Sequence, residues 1–267
     1  MNKIRFLSSP LRVLPDYIIA GEAKSGTTSL YRYLGQHPSV LPADTKEPSN
    51  FREYGGSPLF CRSHYPLVST RAWVRLRKGV AITGEASAEY FSKPDVPAVI
   101  AETLPEVKII LLFRHPVARA FSDFQMLTRS GRETRSFEEV VSQSLDWLQR
   151  ENVNPLLEAL DHLEYHPLRY VLRGLYVRPL QRWLKVFGAE RVLCMQSEQL
   201  FAQTPEVLGR VYAFLGLPSV GSADLAPRKQ GKYEDAVPAS CREELNSFYR
   251  PWNEELYSVL GERYDWA

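Results

Sequence analysis

The chain is short of three things at once: cysteine, net charge and long apolar runs. It has three cysteines in 267 residues, Cys61, Cys194 and Cys241. They are odd in number, far apart and without metal-ligand spacing, which argues against a disulfide framework and a cysteine-based metal site. They read as reduced thiols, and a cytoplasmic protein is expected. Lys and Arg total 33 against 31 Asp and Glu, a net charge of +2. That balance gives no reason to expect a nucleic-acid partner, so any anion site must come from local clustering. The opening residues, Met1-Asn-Lys-Ile-Arg-Phe-Leu-Ser-Ser-Pro, reach polar residues and a proline before a signal-length apolar run builds up. Neither a signal peptide nor a membrane anchor is expected. No Gly/Ser-rich or charged linker divides the chain, and 44% hydrophobic residues suffice for a substantial core. One domain over residues 1–267 is the expectation.

What is present is organised around one stretch, Asp16-Tyr-Ile-Ile-Ala-Gly-Glu-Ala-Lys-Ser-Gly-Thr-Thr28. Tyr17 to Ala20 is an apolar, partly β-branched run that suits a buried strand. Gly21 and Gly26 bracket a turn, and Leu30, Tyr33, Leu34 and His37 then recur at helical spacing. Strand, glycine loop and helix in that order direct backbone N–H groups and a positive helix terminus at one point, where a phosphate can sit. A loop that merely caps the helix shares part of this pattern. The glycines match the P-loop signature G-x-x-x-x-G-K-[ST], but Thr27 stands at the lysine position and the lysine is at 24, inside the loop.

Further along, Val80–Gly84 reads as a second buried strand ending at Glu85, and Lys108–Phe113 as a third. Helices are expected over 94–103, from Pro116, over 137–149, along 169–187 and over 205–215, with a strand at 191–196. Residues 241–267 read as helical with a break at Pro251. This alternation predicts an α/β class with a central parallel sheet flanked by helices. The segment 37–42 reads as a proline-punctuated loop, and Lys46-Glu-Pro-Ser-Asn-Phe51 can fold back over the carboxyl edge of such a sheet, where ligands bind. Arg114 ends a strand, and Arg119 and Ser122 lie three residues apart on the following helix. An arginine and a hydroxyl converging there make a second phosphate site; a structural ion pair is the other reading. Residues 61–78, rich in arginine and aromatics, are either an amphipathic surface segment or the wall of an acceptor cleft. Arg228-Lys-Gln-Gly-Lys-Tyr233 is either a solvated charge run or a flap over a polyanionic nucleotide.

The lysine-shifted loop, the Arg114-x-Pro116-x-x-Arg119-x-x-Ser122 block and the Lys229-Gln-Gly231-Lys-Tyr233 loop occur in one order. Together they resemble the sulfotransferases that use 3′-phosphoadenosine 5′-phosphosulfate (PAPS), especially the heparan sulfate N- and 3-O-sulfotransferase domains and their bacterial relatives. The resemblance runs from Pro15 to Trp266 and implies a three-layer P-loop-like fold. It implies that Lys24, Ser25, Gly26, Thr27 and Thr28 hold the 5′-phosphosulfate, and Arg114 and Ser122 the 3′-phosphate. The same resemblance implies that Lys229, Gly231 and Lys232 close over the nucleotide and that Glu47 is the catalytic base; Glu85 is the next candidate for the base. Family members often carry Glu-Lys-Thr-Pro where this chain has Glu85-Ala-Ser-Ala88, so a lysine is missing at Ala86.

On this reading Glu47 takes the proton of an acceptor hydroxyl or amine and Lys24 stabilises the departing adenosine 3′,5′-bisphosphate. No His/Cys/Asp cluster suggests a metal. The acceptor is expected to be a carbohydrate or small molecule; the oligomeric state is not legible. The competing readings are a P-loop kinase using ATP, which wants a lysine at Thr27, and a non-catalytic nucleotide- or glycan-binding module.

Overall fold

The computed structural model describes residues 3–158, 166–220 and 236–266. Five strands form one sheet: β1 (Tyr17–Gly21), β2 (Val40–Leu41), β3 (Ile82–Glu85), β4 (Lys108–Phe113) and β5 (Val192–Gln196). Their order is β2-β3-β1-β4-β5, and every pairing is parallel. Ile18 is in register with Glu85 and with Ile109, and Phe113 with Gln196, so the carboxyl ends share one edge.

A parallel sheet has to be covered on both faces, and the strand residues divide accordingly. Ile18, Ala20, Ile109, Leu111 and Phe113 pack with Phe91, Trp183 and Phe187 on one side. Tyr17, Ile19, Ile110 and Leu112 pack with Leu30, Leu34, Leu208 and Val211 on the other. Helices α1 (Thr27–Leu34), α4 (Val177–Phe187), α5 (Thr204–Leu215) and α6 (Ala239–Leu260) contribute to these two clusters, while α2 (Val68–Lys78) buries only Val74 and α3 (Pro116–Arg129) follows β4. Helices α3 and α6 also share a third apolar cluster, where Phe121 and Phe124 pack with Leu245 and Tyr249. The three-layer α/β fold agrees with the sequence expectation.

Three local expectations are corrected. The stretch 37–42 contains β2, a two-residue edge strand that pairs with Ile82 and Thr83 before Pro42 interrupts the ladder. The helical pattern over 169–187 is two helices, Leu168–Leu172 and α4. The chain turns between them at Gly174, where a β-carbon would lie 2.7 Å from the Tyr249 hydroxyl. Pro251 does not break α6. Pro251 and Ser247, whose carbonyl loses its i+4 donor, are both exposed, so water can solvate that oxygen while Leu245, Tyr249 and Leu256 anchor the buried side.

Strand β3 lies so close to β1 that Gly84 has no room for a side chain: a β-carbon would be 2.4 Å from the Tyr17 carbonyl oxygen. Gly84→Ala is therefore expected to cost about 1–3 kcal/mol of stability, read as a lower urea midpoint at unchanged slope.

Candidate active site

The glycine loop begins where β1 ends. A β-carbon at Gly21 would lie 2.5 Å from that of Phe91, so the chain can leave the sheet here only without a side chain. The loop closes with Ser25 N–H donating to the Glu22 carbonyl at 3.1 Å. Lys24 and Gly26 both have positive φ, 72° and 90°. For lysine that conformation costs about 1–2 kcal/mol. Gly26 then caps α1, whose first N–H groups have no acceptor within the helix and carry the positive end of its dipole. Thr27 is buried and Thr28 exposed in the first turn, while Ser25 Oγ is fully buried with no hydrogen-bond partner among the described residues. Left-handed residues in a glycine loop, helix amides and an unengaged hydroxyl together make an anion cradle.

Arg114 leaves the end of β4 next to this cradle, and its Nη1 donates to the Lys24 carbonyl at 3.2 Å. Behind it, the Tyr176 hydroxyl donates to the Arg114 carbonyl at 2.8 Å. The Lys24 ammonium lies along α3, 3.5 Å from Met126 Sδ. Ser122, buried on α3, is one turn before Met126. Lys24 and Arg114 thus meet at the carboxyl edge, and Ser122 lies on the helix that follows Arg114, one turn before the methionine that the Lys24 ammonium touches.

On the other side of β1, the segment around Lys46 and Glu47 lies against the end of β3. Ala86 N–H donates to the Lys46 carbonyl at 2.9 Å, and Lys46 Nζ returns to the Ala86 carbonyl at 3.2 Å while pairing with Glu47. The Glu47 side chain is 49% exposed. Glu85 is fully buried, and its Oε2 accepts from the Tyr65 hydroxyl at 2.5 Å. Burial raises the Glu85 carboxyl to about 7; hydroxyls of Tyr65, Tyr90 and Ser87 oppose the shift, and the negative charge of Glu47 adds to it.

This geometry has counterparts in known proteins. A model of the family described as "Sulfotransferase domain" matches residues 14–229. The chain belongs to the sulfotransferase family. Heparan sulfate glucosamine 3-O-sulfotransferase 6 of Mus musculus is 26% identical over 280 residues, covering 96% of this chain and 74% of the relative. Bifunctional heparan sulfate N-deacetylase/N-sulfotransferase 1 of Caenorhabditis elegans is 25% identical over 275 residues, covering 92% of this chain and 30% of that protein. The crystal structure of a sulfotransferase from Alicyclobacillus acidocaldarius superposes with a TM-score of 0.70 at 28% identity, covering 94% of this chain and 98% of that one. As a sulfotransferase the protein is an enzyme of sulfuryl transfer, and the kinase alternative falls away.

Several sequence expectations of this sulfotransferase need adjustment. Lys229, Gly231 and Lys232 lie outside the described residues. Arg119 does not converge on an anion site: it is fully buried, donates to the Tyr170 carbonyl and pairs with Asp123 at 3.3 Å. The proposed cleft wall also loses two of its cations, since Arg62 donates to the Arg12 carbonyl and Arg71 pairs with Asp16 at 2.6 Å, before the start of β1.

Sequence reasoning missed the braces of the cradle. Glu22 is fully buried; its carboxylate accepts from Ala23 N–H at 2.6 Å, from Ser92 and from Arg173 at 2.5 Å. Glu198 likewise accepts from His115 N–H at 2.9 Å, at the head of α3. The position of Glu22 inside the loop was a signal of importance, but nothing in the sequence pairs it with Arg173.

Glu85 generates a pH prediction. Its folded-state value, about 7, lies above the ordinary 4.5, so between those values the folded chain holds a proton that the unfolded chain releases. Its contribution to stability is therefore expected to fall as pH rises through that window. Urea unfolding at pH 5 and pH 8 should show this loss, and Glu85→Gln should reduce it.

Proposed function

We propose that the enzyme transfers the sulfuryl group of PAPS to a hydroxyl or amine of a carbohydrate or small-molecule acceptor. The observation that carries this reading is Lys24 within the glycine loop, tethered through its carbonyl to Arg114 on the adjoining strand end. A lysine there reaches the bridging oxygen of a phosphosulfate rather than the terminal phosphate of a nucleoside triphosphate. The cradle fits the donor on its own terms. Ser25 Oγ is buried and unengaged, Gly26 has positive φ, and a β-carbon there would press on Phe201 at 3.2 Å. PAPS supplies an activated sulfuryl group whose sulfur–oxygen bond to the phosphate breaks as the acceptor attacks.

The residues of the chain then divide the work. Backbone amides of residues 26–28 and the hydroxyls of Ser25, Thr27 and Thr28 hold the 5′-phosphosulfate. Arg114 and Ser122 hold the 3′-phosphate by charge-assisted hydrogen bonds. Lys24 neutralises charge developing on the oxygen that leaves with adenosine 3′,5′-bisphosphate. Glu47 takes the acceptor proton as the new oxygen–sulfur or nitrogen–sulfur bond forms. Its exposure supports this assignment over Glu85, which is closed off from solvent behind Tyr65. Lys229, Gly231 and Lys232 complete the nucleotide site.

Two relatives are named for heparan sulfate, which supports a carbohydrate as the acceptor. Ala86 puts a buried methyl group where related enzymes offer a lysine, which favours a less anionic sugar or a small metabolite.

Calorimetric titration with adenosine 3′,5′-bisphosphate should show binding that needs the 3′-phosphate and is indifferent to Mg²⁺. Preference for ATP with Mg²⁺ overturns the reading. Arg114→Ala should weaken that binding about tenfold to a hundredfold. Lys24→Ala and Glu47→Gln should each lower kcat by about 10²-fold or more, with smaller effects on nucleotide affinity. Near-wild-type turnover of Glu47→Gln across pH moves the base elsewhere, with Glu85 next in line.

A further inference from the structure

The exposed apolar side chains of this enzyme are concentrated rather than scattered. Eleven large hydrophobic residues stand exposed among the described residues, and nine of them lie between Ile4 and Leu76. Helix α2 carries the clearest arrangement. Val74 is its one buried residue. On the opposite side of the helix, Val68, Ala72 and Leu76 form a stripe at i, i+4 and i+8, with Trp73 beside it. Leu76 is 87% exposed and Trp73 56%. Helical spacing puts Arg75 on one flank of the stripe and Arg77 on the other, the latter with its guanidinium 4.2 Å from the centre of the Trp73 ring. Lys78 ends the helix. An ordinary surface helix turns its apolar stripe toward the core; α2 turns its stripe to solvent and edges it with cations.

The surroundings extend this character. Residues 3–12 and 58–78 together hold eight Lys and Arg and no Asp or Glu, in a chain with a net charge of only +2; of these, Arg5 and Arg71 pair with Asp44 and Asp16 from outside the two segments. The two segments are joined by an antiparallel bridge between Arg12 and Leu67. Arg5 Nε and Arg12 Nη1 reinforce it, donating to the Ser63 and Tyr65 carbonyls at 2.8 and 2.7 Å. The short helix Lys3–Leu7 in the first segment leaves Ile4 and Leu7 exposed as well. Arg71 ties α2 to Asp16, whose carboxylate also accepts from Thr83 N–H at 2.9 Å. Asp16 precedes β1, so this tether lies toward the amino edge of the sheet, away from the anion cradle.

A polyanionic sugar uses cations and can stack on a tryptophan face, but it gains nothing from the solvent-facing aliphatic side chains of Ile4, Leu7 and Leu76. An anionic bilayer uses both, because apolar side chains enter the boundary between headgroups and acyl chains while arginine and lysine reach the headgroup phosphates. We propose that α2, with the Lys3–Leu7 segment tied to its leading loop, docks the enzyme on the surface of an anionic lipid bilayer. The attachment is peripheral; among the described residues no helix is long and apolar enough to cross a membrane. It is independent of the sulfuryl-transfer reading.

Co-sedimentation with phosphatidylcholine vesicles, with and without phosphatidylglycerol, at low and high salt tests this. The protein should partition onto the phosphatidylglycerol vesicles, less so at high salt, and not onto phosphatidylcholine alone. The pairs Trp73→Ser with Leu76→Ser, and Arg75→Glu with Arg77→Glu, should each lower the partition coefficient about tenfold or more. Melting temperature and adenosine 3′,5′-bisphosphate binding should stay unchanged in both. Absence of vesicle binding, or equal binding by the variants, overturns the proposal. So does retention by a soluble sulfated glycan without vesicle binding, or a dimer that Leu76→Ser dissolves.

Discussion

Glu22 is an anion buried inside a loop shaped to hold anions, and the rest of the site depends on how its charge is matched. Arg173 supplies the compensating cation at 2.5 Å, Ser92 donates a hydrogen bond, and Ala23 N–H turns back onto the carboxylate. Left unmatched, Glu22 would repel the ligand and cost the fold several kcal/mol, since removing one partner of a buried ion pair typically costs about 3–5 kcal/mol. Matched, it fixes the first turn of the loop. Lys24 can then stay in a left-handed conformation that lysine ordinarily avoids. The Arg114 contact to the Lys24 carbonyl extends this bracing to the neighbouring strand.

The two glutamates near the end of β3 are separated by environment rather than by chemistry. Glu85 lies beneath tyrosine hydroxyls, where burial favours its neutral form. Glu47 is half exposed and paired with Lys46, which is itself held to the Ala86 carbonyl. One lysine thus fixes the exposed carboxylate against the strand that carries the buried one. The two carboxyl groups thus differ in access: Glu47 is open to solvent and Glu85 is enclosed.

Much of this architecture was legible in the sequence because its signals are local. Lys108–Phe113 is a continuous apolar run and is β4 with the same bounds. The displaced lysine marked the loop, and the strand-end arginine marked its neighbour. What could not be read was either non-local or decided by packing. The β2 strand is two residues long and exists only through its pairing with β3. Arg119 has the same local context as a phosphate ligand, yet the Tyr170 carbonyl and Asp123 draw it into the interior. Pro251 should interrupt a helix, but α6 is anchored on its buried side by residues on both sides of the proline.

The brace between Glu22 and Arg173 spans 151 positions of the chain. During synthesis the loop emerges long before the arginine that neutralises it, and β4 emerges before its partner β5. The early part of the chain therefore holds the loop without its brace until Arg173 has been made. The brace thus comes late in the order of assembly, and a fragment ending before Arg173 lacks it even though it contains the whole loop.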